Sequence, residues 1–308
     1  MNNATCESLI EEGDQLFNAR KYAEAGGIFK KAVEAAERES NNSCLVEALS
    51  MTARSFLIRD EGAEGRPWIE RAAKVATPDE PKGWSRYLGV RGRFQWKDEK
   101  NHPKATLTFK EMYDYCLKHN LHSRAVDAAH MVAIAGGPNE QIEWAQKGIA
   151  AAETSGEIGL LGPLWNNLGW VYDERKQYDK ALDALLKARE YHHKGKQELP
   201  KLIADIFVGR AHRMVGNIDE AERWTIQSHE WAKRLHEKDP NDSDYNERLG
   251  NTHEELGDIA VVRGKREEGI RHFRTARELL IKAGVEKWGS EELKKLDERI
   301  AEVEKQAG

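Results

Sequence analysis

The chain has 308 residues, 53 of them acidic and 48 basic, for a formal net charge of −5. That balance speaks against a generic nucleic-acid or anionic-membrane partner. No apolar run approaches the ~18 residues that span a bilayer, and the start, MNNATCESLIEEGDQLF, has neither the basic nor the apolar segment of a signal peptide.

Apolar residues recur at three- and four-residue spacing along nearly the whole chain, which predicts helices in pairs. In order they are Thr5–Arg20 with Tyr22–Glu39, Ser43–Arg59 with Ala63–Ala76, and Pro81–Lys97 with Pro103–His119. Then come Ser123–Ala135 with Pro138–Thr154, Leu161–Arg175 with Tyr178–Lys194, Glu198–Val215 with Ile218–His236, and Asp242–Arg263 with Arg266–Ala283. Eight prolines in the chain suit so much helix, and Gly62, Gly137, Gly216 and Gly264 fall in turns. The tail from Ser290 to Gln306 carries a narrow apolar stripe, Leu293, Leu296, Ile300 and Val303, on an otherwise charged helix. That is the pattern of a terminal helix with one face on the last pair and the other in water.

The fifth pair is the most informative. In WNNLGWVYDERKQYDKALDALLKARE, Trp165, Leu168, Gly169 and Tyr172 share one helix face, and Tyr178, Ala181, Leu185 and Ala188 share another. A glycine inside a helix costs about 1 kcal/mol relative to alanine, so Gly169 implies a close approach of the two helices. Trp170, Val171, Leu182 and Leu186 are apolar beyond that shared face. One hairpin cannot bury them, so such units should stack. The spacing returns at Gly13, Ala25, Phe29 and Ala32, at Gly209, Ala221, Thr225 and Ser228, and at Gly257, Gly269, Phe273 and Ala276, with weaker copies between. The small-residue anchors are 25, 65, 105, 145, 181, 221 and 269, usually 40 residues apart.

These residues resemble the tetratricopeptide repeat family, whose pattern is W-x2-L-G-x2-Y followed by alanine, a large apolar residue and alanine. The unit from Trp165 to Ala188 matches position for position, although the usual period here exceeds the family's 34 residues. The resemblance implies an all-α, right-handed α-solenoid of about seven antiparallel helix pairs over residues 1–289, closed by a C-terminal capping helix over 290–308. It also implies a non-enzymatic interaction module, or scaffold, that holds a peptide or protein segment in a concave groove. The alternative is a regulatory sensor that acts in trans on a signalling or transcriptional partner.

No chemistry competes with that reading. Cys116, His119, His122 and His130 lack a recognised zinc-ligand spacing, and His229 with His236 is not an H-E-x-x-H pair. The expectation is no metal, no cofactor and no catalytic residue. Cys6, Cys44 and Cys116 form no disulfide framework and read as buried free thiols of a reducing cytoplasm. A monomer is expected rather than a homodimer.

In the family the first helix of each pair lines the groove. The position after the repeat glycine reads Asp14, Arg54, Phe94, Ile134, Trp170, Arg210 and Asp258, and one turn earlier lie His130 and Asn166. The family's clamp for chaperone tails is matched here only by Arg91 among Ile10, Asp14, Met51, Tyr87 and Arg91, and its asparagine ladder only by Asn167. The binding residues expected are therefore Asn166, Asn167, Trp170, Arg210 and Arg213, with Arg54 and His130 as further contacts. Arginine captures carboxylates with a two-pronged fork, so the expected partner segment carries acidic residues. The stretch from Arg54 to Lys110, with thirteen basic residues against eight acidic, is a second basic region.

Overall fold

The computed structural model describes residues 4–287 and 289–307, and the described residues hold fifteen α-helices and no strand. The helices fall into two compact units, Met1–Leu160 and Leu161–Gly308. The first contains α1 (Cys6–Asn18), α2 (Tyr22–Glu39), α3 (Asn42–Leu57), α4 (Gly62–Val75), α5 (Pro81–Arg93), α6 (His102–Lys118), α7 (His122–Ala135) and α8 (Pro138–Ser155). The second contains α9 (Leu161–Glu174), α10 (Tyr178–Lys194), α11 (Glu198–Met214), α12 (Ile218–Lys238), α13 (Ser243–Val262), α14 (Arg266–Lys282) and α15 (Ser290–Ala307). Each unit is a run of consecutive helix pairs, four in the first and three plus α15 in the second.

Sequence explains where these helices start and how closely they pair. Thr5, Asn41, Asn101 and Asp242 each accept a hydrogen bond from a first-turn backbone N–H, which satisfies a donor the helix itself leaves open. The pairs close on their glycines. A Cβ at Gly169 would stand 2.6 Å from Leu185 Cγ, and one at Gly257 would stand 2.5 Å from Phe273 Cδ1. Leu185 follows Gly169 by sixteen residues, and Phe273 follows Gly257 by the same interval.

The third pair breaks that interval. Gly92 meets Phe109, seventeen residues on. The extra residue is absorbed in a π-helical turn, Phe94–Asp98, that continues α5. It also corrects the expected binding face: Phe94 is buried in the core, and Arg93 takes the position after the glycine.

Stacking buries most of what a single pair leaves over. Val171 is buried, and Leu182 packs with its helix neighbour Leu185 against Val208 and Ala211 on α11. Leu186 stays 40% exposed, so that apolar position is not covered within the chain. At the end of the second unit Leu293, Leu296 and Val303 of α15 are buried with Ile270, Phe273 and Leu280 of α14. The cysteine expectation needs correction as well. Cys6 and Cys44 are joined in a disulfide between α1 and α3, with Cα atoms 6.3 Å apart, and only Cys116 is free and buried. A separation of 38 residues carries no periodic signal, so sequence could not reveal that the first helices of successive pairs bring these two thiols together.

Candidate functional site

In the second unit, α9 and α11 are the first helices of adjacent pairs. Both pack on α10, which carries their residues to one region. The Trp170 ring meets Phe207 edge-on, with centroids 4.9 Å apart, and the Arg210 guanidinium lies 5.2 Å from the Trp170 ring centre. Arg210 Nη2 donates to Asp173 Oδ2 at 3.2 Å. Trp170, Asp173, Leu185, Phe207, Arg210 and Ala211 enclose a crevice of about 10 Å³, room for about one water. It is an anchor point on a surface rather than a small-molecule pocket.

Asn166 and Asn167 stand one turn before Trp170. Asn166 Oδ1 and Asn167 Nδ2 are buried without a hydrogen-bond partner, as is Arg210 Nε. A buried polar atom left unsatisfied costs about 1–3 kcal/mol, so three in one region form an unusual concentration.

Arg213 differs from Arg210. Its Nε and Nη2 donate to the two Glu255 carboxylate oxygens at 2.8 and 3.0 Å, and Nη2 also lies 2.8 Å from Asp258 Oδ2. Arg299 of α15 donates to Glu254 at 2.6 Å and to Asp258 at 2.8 Å. Burial alone would lower the Arg213 pKa, but Glu255 and Asp258 outweigh it and raise it above the ordinary guanidinium value. Asp258 is pushed up to about 6, by burial first and then by Glu255 and Glu254, against the pull of Arg213 and Arg299. Arg213 thus ties α11 to α13, and its fork is already filled.

Arg54 and His130 lie in the first unit, on α3 and α7. The Arg54 guanidinium sits 4.8 Å from the Phe17 ring centre and is half-buried. Its neighbours form two balanced sets. Arg86 donates to Asp14 at 2.7 Å and to Glu47 at 3.2 Å, while Arg124 also donates to Glu47. Arg93 donates to both Asp127 oxygens at 2.7 and 3.0 Å. Glu47 is held below the usual carboxylate range: burial would raise it, and the two guanidiniums more than compensate. Asp14, Glu47, Arg86 and Arg124 also wall a cleft of about 300 Å³. His130 is lowered by burial, with Asp127 opposing and Arg93 reinforcing, so it is neutral at neutral pH.

The basic stretch from Arg54 to Lys110 is largely consumed inside the unit. Arg59 pairs with Glu61, Arg66 with Asp98, Arg91 with Glu99, Lys97 with Asp60 and Lys110 with Glu140. Sequence reasoning missed the Glu47 network, whose one available signal was an acid on the apolar face of α3. It also missed a histidine group. His253 Nδ1 lies 2.9 Å from His272 Nδ1, and the His229 ring centre is 4.7 Å from that of His253. These rings come from three helices, and no spacing announces them. Cys116 packs with Leu88, Met112, Ala125 and Ala128, and burial pushes its thiol up to about 11.

No protein-family model matches the chain, and no curated protein matches it either. Solved structures do. One is a signal-transduction ATPase with numerous domains and a tetratricopeptide repeat sensor from Pyrococcus horikoshii. It is 14% identical with a TM-score of 0.68, over 94% of this chain and 44% of that one. The chain therefore spans less than half of that ATPase. A Rap protein complexed with Competence and Sporulation Factor is 14% identical with a TM-score of 0.61, over 91% of this chain and 77% of that one. The apo form of RapI is 13% identical with a TM-score of 0.56, over 90% of this chain and 98% of that one. The fold is that of tetratricopeptide-like repeat proteins, an all-α solenoid. Among the described residues no helix is long and apolar enough to cross a membrane.

Proposed function

We propose that the chain is a non-enzymatic interaction module. It binds an extended or helical segment of a protein partner across α9 and α11, with an acidic residue of that segment at Arg210. The observation that carries this reading is the pair of unsatisfied amide atoms beside the Trp170–Arg210 stack. Both atoms are buried, so in this reading the two amides turn outward on binding, where they complement the N–H and C=O that every peptide backbone presents. Trp170 offers an aromatic face, and aromatic and arginine side chains are the usual anchors of interfaces. The Arg210 side chain is 37% exposed although its Nε is buried, so the partner carboxylate meets the Nη end of the fork beside Asp173. In this reading Arg213 positions α11 and does not touch the partner. The partner is a protein or peptide with acidic residues rather than nucleic acid or membrane, the protein works as a monomer, and it needs no cofactor.

A second reading, a sensor acting in trans on a signalling partner, is favoured by one observation: the extent of the likeness to the ATPase described with a repeat sensor. It uses the same site and differs in what the bound segment triggers.

Selection of a displayed random-peptide library on the full chain tests both. Sequences with a carboxylate at a fixed place should be enriched and should be lost on Arg210→Glu, with helicity and melting temperature retained. Enrichment of the same sequences on both proteins would move the site elsewhere, and no enrichment at all would remove the peptide reading.

A further inference from the structure

The first unit holds a charge that its own residues do not answer. Arg86 and Arg124 are balanced by Asp14 and Glu47, and Arg93 by Asp127. Arg54 is the fourth guanidinium of this group, and among the described residues no carboxylate, carbonyl or hydroxyl accepts a hydrogen bond from it. Its guanidinium lies against the Phe17 ring. That contact is a cation–π stack on one face, and it leaves the in-plane donors unused. A guanidinium carries five N–H donors in a rigid fork. Arg54 is half-buried, so its unused donors remain open to solvent, and Asp127 and Asp14 relieve its charge only through space, without a hydrogen bond.

We propose that Arg54, held flat on Phe17, is the centre of an oxyanion-binding site on the first unit, and that a carboxylate or phosphate group of a ligand is its missing partner. The stack fixes the plane of the fork, so a two-oxygen anion meets two N–H groups at once. Arg93 repels Arg54, but its charge is already matched by Asp127, so Arg54 itself supplies the attraction for the anion. Its own carboxylate, Asp127, is already committed and cannot swing over to serve Arg54. The electrostatics agree: Arg54 is lowered to about 9, by burial first and then by Arg93 and Arg86, with Asp127 and Asp14 only partly opposing. A bound anion would restore it. His130, neutral beside the Arg93–Asp127 pair, adds no competing charge. The neighbouring cleft, lined by Glu7, Glu11, Asp14 and Glu47 against Lys82, Arg86 and Arg124, has an excess of acid and is not the anion site.

This site goes beyond the peptide reading and is independent of it. It lies in the other unit and concerns a ligand group of one chemical kind, so its failure leaves the selection experiment on Arg210 unaffected.

The test is calorimetric titration of the full chain with inorganic phosphate and, separately, with acetate, at one ionic strength set by sodium chloride. Saturable binding of one anion per chain is expected for at least one probe. Phosphate alone would identify a phosphorylated ligand, and acetate binding a carboxylate. Hydrogen bonds to a charged group contribute about 1.5–3 kcal/mol, so Arg54→Met should weaken binding by at least ~10-fold. Arg54→Lys keeps the charge without the fork and should fall between. Arg54→Met should melt no lower than the parent, because it removes an unanswered buried cation, and this shows that the loss is not unfolding. Absence of saturation with both probes, or equal affinity in Arg54→Met, would overturn the proposal.

Discussion

The two units carry opposite local charge imbalances. In the first unit Arg86, Arg93 and Arg124 hold Asp14, Glu47 and Asp127, and Arg54 is left without a hydrogen-bonded acid. In the second, Arg213 and Arg299 face Glu254, Glu255 and Asp258, one carboxylate too many. The consequences have opposite signs. The surplus cation, Arg54, is lowered to about 9, and the most crowded acid, Asp258, is raised to about 6. The same repeat geometry therefore yields one unit that gains from an added anion and one that gains from an added proton. The backbone pattern fixes where such charges meet, and composition at those places decides what each unit lacks.

The largest effect should come from removing one acid on each side. Glu47 is buried and is shared by two guanidiniums. Breaking a buried pair by deleting one partner costs about 3–5 kcal/mol, and Glu47→Ala should cost that much. Glu255 is just as buried and is bonded twice to Arg213. Glu255→Ala should nevertheless cost clearly less, because Arg213 keeps Asp258 and Asp258 loses a repelling neighbour. Denaturant unfolding of both variants measures the difference, and equal costs would break the contrast between the units.

Packing, by contrast, should be common to both. In several pairs a glycine of the first helix meets a large side chain of the second, Gly13 on Phe29 in the first unit and Gly169 on Leu185 in the second. Overpacking typically costs about 1–3 kcal/mol, and Gly13→Leu and Gly169→Leu should fall in that range together. If thermal melts show one tolerated and the other not, the units differ in packing as well as in charge.

That common layer was legible in the sequence. Trp165, Leu168, Gly169, Tyr172 and Ala181 announce the helix pair, because helix periodicity repeats every few residues and glycine inside it demands a reason. The charge layer was not legible. Arg213 finds Glu255 42 residues on, and Arg124 finds Glu47 77 residues back. A partner on another repeat leaves no local spacing. Arg210 and Arg213 look alike in sequence, three residues apart on one helix, yet one has a free donor and the other a filled fork. The single residue gained in the π-helical turn of the third pair was equally invisible, and it shifted the expected face from Arg93 to Phe94. Trp170 and Arg210 were placed side by side by the periodicity, and they do meet.

The smallest effect is a cancellation within the second unit. His253 is lowered from 6.5 to about 4, by burial first and then by His229 and His272. His229 is flanked by Glu230 and Lys233, and His272 by Glu268 and Arg271. A histidine lowered in the folded state favours folding while neutral, so its contribution is complete above pH 6.5 and is lost as pH falls toward 4. Asp258 works the other way. Its folded pKa of about 6 lies above the ordinary 3.8, so it penalises the fold above pH 6, and that penalty is relieved as pH falls toward 3.8. Over the shared window one contribution falls while the other rises, so Asp258 offsets part of the loss that His253 and the other lowered histidines bring as pH falls. Asp258→Asn removes the compensating group, so its melting temperature should drop more steeply than the parent's between pH 6.5 and 4. His253→Asn should flatten or reverse the slope. Parallel curves for all three proteins would show that neither group titrates in this window, and the surplus acid would then have to be neutralised in some other way.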